Sequence, residues 1–183
     1  KRTPPHGVNF KVLSGISRMS WRVQDEDWEL DRINEELNRL KSLPHYPRWL
    51  ILLLVSLAGA SFCRLFGGGG IEMLVAFIAT FLGLFVRQEA VKKNFNLFIC
   101  VLMAAAVASL IAGAAVKLGI GKAPELAFAT SVLFLVPGVP LINSFTDLID
   151  GNVSTGIVRG VNGFMIAFCI ALGMMLAMVL YKI

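Results

Sequence analysis

The chain has 183 residues, of which 56% are hydrophobic, with a mean hydropathy of +0.73 and a formal net charge of +5. That composition excludes an ordinary soluble domain. The basic residues gather at the edges of apolar stretches rather than in a stripe interleaved with aromatics, so nucleic acid is not an expected partner.

Acidic residues crowd the start of the chain, at Asp25, Glu26, Asp27, Glu29, Asp31, Glu35 and Glu36; after Arg48 there remain Glu72, Glu89, Glu125, Asp147 and Asp150. This asymmetry divides the chain into a polar N-terminal region, 1–47, and a membrane domain, 48–183. Val8, Phe10 and Val12 alternate with polar neighbours, as do Met19, Trp21 and Val23, with Ser14-Gly15 between them. The alternation predicts a hairpin over Val8 to Val23. A lone hairpin is marginal in water. Further residues are therefore expected to precede Lys1. From Asp25 the period becomes helical through Ile33, Leu37, Leu40 and Leu43, and Pro44 and Pro47 are expected to end that helix. Tyr46 and Trp49 beside Arg48 read as an interfacial aromatic belt.

Five apolar stretches follow, Trp49 to Phe66, Ile71 to Val86, Phe95 to Val116, Leu126 to about Phe145, and Ile157 to Leu180. A bilayer core needs roughly 20 apolar residues in a helix, and all but the second stretch reach the lower limit of about 17. The predicted fold is an all-α membrane protein of five transmembrane helices preceded by a small cytoplasmic α+β segment. Arg39, Lys41 and Arg48 on one side, with Arg87, Lys92 and Lys93, outweigh Arg64, Lys117 and Lys122 on the other. The positive-inside rule then puts the N-terminus in the cytoplasm. In the third span Ala104, Ala108 and Ala112 recur beside Ala105, Ser109 and Gly113, and the fifth has Gly163, Ala167 and Ala171. Small residues at this spacing let helix backbones approach, within this chain or against another copy.

The fourth span carries the residues with chemical potential. Pro137, Gly138 and Pro140 predict a helix break, since two prolines remove donors and glycine relaxes the backbone. Broken helices at membrane depth survive against protein or a water-filled cavity and often form transporter sites. Asn143, Ser144, Thr146 and Asp147 follow the break and are the candidate substrate-binding residues. Asp147 is the first candidate for proton coupling, with Asp150 second and Glu72 a further possibility. The plain alternative is a kinked helix whose Asp147 and Asp150 cap or line a loop. Arg64 and Glu72 bracket the run Gly67 to Gly70 and form either a solvated turn or an external gate. Asn162 and Thr130 are read as interhelical hydrogen-bonding groups. Cys63, Cys100 and Cys169 stand singly in apolar stretches and are expected to be buried thiols. His6 and His45 have no ligand spacing, and no metal or cofactor is expected.

Leu65-Phe66-Gly67-Gly68 resembles a pattern of the threonine/serine exporter, or ThrE-like, family, which includes YjjP-type proteins. So do the segment Val136 to Asn143, then Asp147-Leu148-Ile149 and Gly151, and Gly156 with Arg159. The resemblance covers most of Val8 to Leu180. It implies a cytoplasmic N-terminal region and five spans in the bacterial inner membrane. It also implies export of threonine and serine, or of a dicarboxylate such as succinate. Some members continue into a second five-span half, and others use a separate five-span subunit; this chain resembles the split form. The N-terminal Arg-Val-Glu-type motif of the family is absent from it. An odd number of spans would place a second related unit upside down, the inverted-repeat plan of many secondary transporters. Expected partners are therefore membrane lipid, a second five-span subunit or further copies of this chain, and a small carboxylate substrate. The leading expectation is a proton-driven exporter, because no ATP-binding motif is present. The competing one is a non-transporting membrane scaffold or regulatory subunit. An enzyme is not expected, since neither HExxH nor GxSxG occurs.

Overall fold

The computed structural model describes residues 10–43 and 46–183, and they form two compact units, Lys1–Pro47 and Arg48–Ile183. His6, Val8, Pro44 and His45, which the sequence reading used, lie outside the described residues.

The described residues of the first unit form two helices, α1 (Phe10–Glu26) and α2 (Leu30–Lys41). The expected hairpin, and with it the α+β segment, is corrected: no strand occurs among the described residues, and Ser14-Gly15 lies inside α1. Alternation and helical periodicity coincide over short windows. A strand would put Met19 and Trp21 on one face, but Met19 is buried against α2 while Trp21 is 67% exposed. Gly15 supplies contact rather than a turn, because a Cβ there would run into the Leu40 side chain. Asp27, with φ at +45°, reverses the chain between the helices.

The second unit holds α3 (Arg48–Leu65), α4 (Gly70–Lys92), α5 (Leu97–Lys117), α6 (Pro124–Thr130), a 3-10 turn at Leu133–Leu135, α7 (Gly138–Ile149) and α8 (Val153–Tyr181). Here too the expectation needs correcting. Among the described residues four helices, α3, α4, α5 and α8, are long and apolar enough to cross a membrane on their own. A fifth span exists only if α6 with its 3-10 turn and α7, bent by 59° at the break, count as one.

α5 is the central helix, packed against α4 on one side and α8 on the other, while α3 packs on α4. Its small residues make this possible. Ala104, Ala105, Ala108, Ser109, Ala112 and Gly113 are all buried within the chain. At the α4–α5 crossing a Cβ on Gly83 would stand 2.9 Å from the Ala108 methyl and 3.0 Å from the Ala104 carbonyl oxygen. The α8 set behaves differently: Gly163 is buried against Leu141 of α7, but Ala167 and Ala171 are exposed. α6 sits among α3, α4 and α5, whereas α7 packs chiefly against α8 and leaves Val139, Ile142, Phe145 and Ile149 largely uncovered.

Candidate functional site: the cleft beside the broken helix

The chain leaves helical geometry after Thr130 and resumes it at Gly138. Part of the freed backbone between them is paired within the protein. Thr80 on α4 donates its hydroxyl to the Ser131 carbonyl at 3.3 Å, Leu135 N–H donates to Val132 and Val136 N–H to Leu133. Ser131, Val132, Leu135 and Pro137 are buried, as irregular backbone in lipid must be. Pro137 occupies the N-cap of α7, and Pro140 falls in its first turn, where a helix has no acceptor for the missing N–H. The prolines therefore start a helix here; they do not bend one.

Below this break lies a cleft of about 510 Å³ lined by Leu97 and Phe98 of α5, Val139, Pro140 and Asn143 of α7, and Arg159, Asn162 and Ile166 of α8. Its polar groups are two amides and a guanidinium; its walls are otherwise aliphatic and aromatic. Arg159 Nη1 donates to Asp147 Oδ2 at 2.6 Å, closing an ion pair between α7 and α8. The Arg159 side chain is 47% exposed and that of Asp147 18% exposed, so the cation is the member that faces outward.

Of the residues singled out from sequence, Asn143 lines the cleft and Asp147 touches it through Arg159. Ser144 is turned away: it is buried, and its hydroxyl donates to the Gly156 carbonyl at 2.6 Å, locking α7 onto α8. Thr146 donates back to the Ile142 carbonyl on its own helix. Asp150 is exposed at the α7 C-cap, three residues beyond Asp147. Glu72 lies at the far end of α4 from these groups. It is buried and accepts from the backbone N–H of Lys122 at 2.6 Å and of Ala123 at 3.0 Å, tying the start of α4 to the turn before α6. Arg64 donates to the Gly68 carbonyl and does not pair with Glu72. Thr130 bonds within α6, and the three cysteines are buried.

Sequence reasoning missed Arg159 as a site residue and assigned Asn162 to helix contacts. The signal for Arg159 was present, since a lone cation in an apolar span is a functional candidate. Its partner, however, lies twelve residues back across a turn, outside any local pattern.

These features define an α-helical membrane protein with four long apolar helices, a helix pair bent at a break, and a polar cleft beside that break. A family model described as "Putative threonine/serine exporter" (ThrE) matches residues 1–181, and the chain belongs to this family of membrane transport proteins. It is similar to a protein of Klebsiella aerogenes named "Probable succinate transporter subunit YjjP", with 29% identity over 99% of this chain and 70% of the relative. The corresponding protein of Escherichia coli K12 is 27% identical over 99% of this chain and 71% of its own length. A Mycobacterium tuberculosis protein named "Probable threonine/serine exporter" is 24% identical over 93% of this chain and 32% of the relative. No solved structure matches the chain.

Proposed function

We propose that this chain is an exporter, or the subunit of an exporter, of small carboxylate metabolites such as threonine, serine or succinate, working in the bacterial inner membrane and coupled to protons. The observation that carries the reading is the pairing of a guanidinium with two amides on a cleft beside a broken helix. A carboxylate would meet Arg159, and Asn143 and Asn162 supply both donors and acceptors for a second polar group. Asp147 is the preferred coupling residue because its carboxylate lies against the cleft's cation; Asp150 and Glu72 rank behind it, one exposed, the other held by backbone amides.

The cleft includes the first turn of α5 and therefore lies at the end of the bundle where α4 finishes. Arg48 at the start of α3 joins Glu89 near the end of α4 at 2.8 Å, so Arg48, Arg87, Lys92 and Lys93 share that end. The positive-inside rule makes it cytoplasmic. An exporter would load its substrate there. The uncovered apolar faces of α7 and of α8 around Ala167 and Ala171 suit contact with a partner subunit or another copy of this chain, and two relatives are themselves named subunits.

The test is efflux from proteoliposomes containing this chain alone and then with a five-span partner, across threonine, serine, succinate and uncharged analogues. Saturable efflux of the carboxylates that depends on pH supports the reading. Absence of efflux in both preparations, with stable assembly of the two chains, would favour a scaffold instead.

A further inference from the structure

Resting on the reading of the cleft as a carboxylate site, we propose that Asp147 is an internal stand-in for the substrate. Its carboxylate holds Arg159 while the cleft is empty, and an incoming carboxylate displaces it. Three observations carry this. The ion pair is monodentate: Nη1 alone reaches Asp147, and the guanidinium has five N–H donors to offer. The rest of the fork has no other protein partner among the described residues. Arg159 lines the cleft while Asp147 does not, so the carboxylate approaches the cation from behind, on the α7 side. Finally, the two amides that line the cleft with Arg159, Asn143 and Asn162, make no hydrogen bond to Asp147 among the described residues, although Asn143 lies one helical turn before it.

The arrangement avoids leaving a lone cation in an apolar wall when no substrate is bound. An unpaired charge in a partly buried position is costly, and a resident carboxylate removes that cost at the expense of affinity. A substrate wins the exchange by doing what Asp147 does not. It can engage the guanidinium with two oxygens and place its second polar group between the amides. Arg159 is the charged group that faces Asp147 from α8, the element packed on α7; Asp150 on α7 itself is exposed.

The experiment measures succinate and threonine binding to the full chain in lipid nanodiscs, with and without a five-span partner, by calorimetry. Asp147→Asn is expected to tighten carboxylate binding by about fivefold, the scale of a partly exposed ion pair. Binding of the carboxylate-free analogues succinamide and threoninamide should be unaffected. Arg159→Gln should abolish carboxylate binding, and Arg159→Lys should restore part of it. The exchanged pair, Asp147→Arg with Arg159→Asp, retains an ion pair between α7 and α8 and should stay folded, yet lose carboxylate binding. If Asp147→Asn binds carboxylates no more tightly than wild type, or the exchanged pair binds them normally, the stand-in is overturned while an exporter that passes the efflux test survives. Absence of both binding and efflux in the wild type overturns both.

Discussion

Removing the Glu72 carboxylate leaves the amides of Lys122 and Ala123 without their acceptor. Glu72→Ala is expected to lower stability, read as earlier thermal unfolding, with substrate affinity unchanged. Gly121 belongs to the same turn; its φ of +103° and a Cβ that would strike Glu72 make Gly121→Ala destabilising as well. The groups at the cleft should show the opposite pattern. Asp147→Asn is expected to fold and insert but to lose the pH dependence of efflux. Asn143→Ala should raise the substrate dissociation constant, and Asp150→Asn should do less than either. An efflux rate and pH profile equal to wild type in Asp147→Asn would reduce Asp147 to a helix-tethering residue.

Between helices the decisive quantity is how close two backbones come. Ala108 meets Gly83 at the α4–α5 crossing, where its own methyl leaves no room for a Cβ on the glycine, so Ala108→Leu inserts a branched side chain into a filled contact. The expected cost is about 1–3 kcal/mol or more, with loss of the folded form on size-exclusion chromatography. Ala167 on α8 is exposed, and Ala167→Leu is expected to leave folding intact while weakening association, measured by subunit counting in lipid. Both alanines belong to small-residue patterns that look alike in the sequence; only the packing tells which face is already taken. The same limit explains α1. Residues 10–26 carry apolar side chains compatible with either period, and α2 decides the matter by covering Met19 and leaving Trp21 outside. The break before α7 was legible because proline and glycine act locally. That it spans Ser131 to Pro137, with Pro140 already inside a new helix, depends on tertiary contacts such as the bond from Thr80 of α4 to the Ser131 carbonyl.

At the scale of the molecule, the membrane character was readable from hydropathy alone, because burial in lipid demands uninterrupted apolar length. The cleft was only half readable: Asn143 and Asp147 stood beside a visible break, but Arg159 joined them through the fold. The proposed orientation gives a direct check. Cysteine placed at Lys92 should react with a membrane-impermeant reagent only from the cytoplasmic face, and labelling from outside would invert the loading side of the cleft. α8, with 29 residues, is the longest of the described helices. At 1.5 Å per residue it is about 43 Å long, against a hydrocarbon core of about 30 Å. It must tilt, or extend its first turns into the headgroups, and Arg159 lies in its second turn. Hydrophobic mismatch thus sets the depth of the guanidinium. In reconstituted bilayers of stepped acyl length, substrate affinity is expected to vary with thickness, because thinner membranes bring Arg159 nearer to water and weaken its hold on any carboxylate.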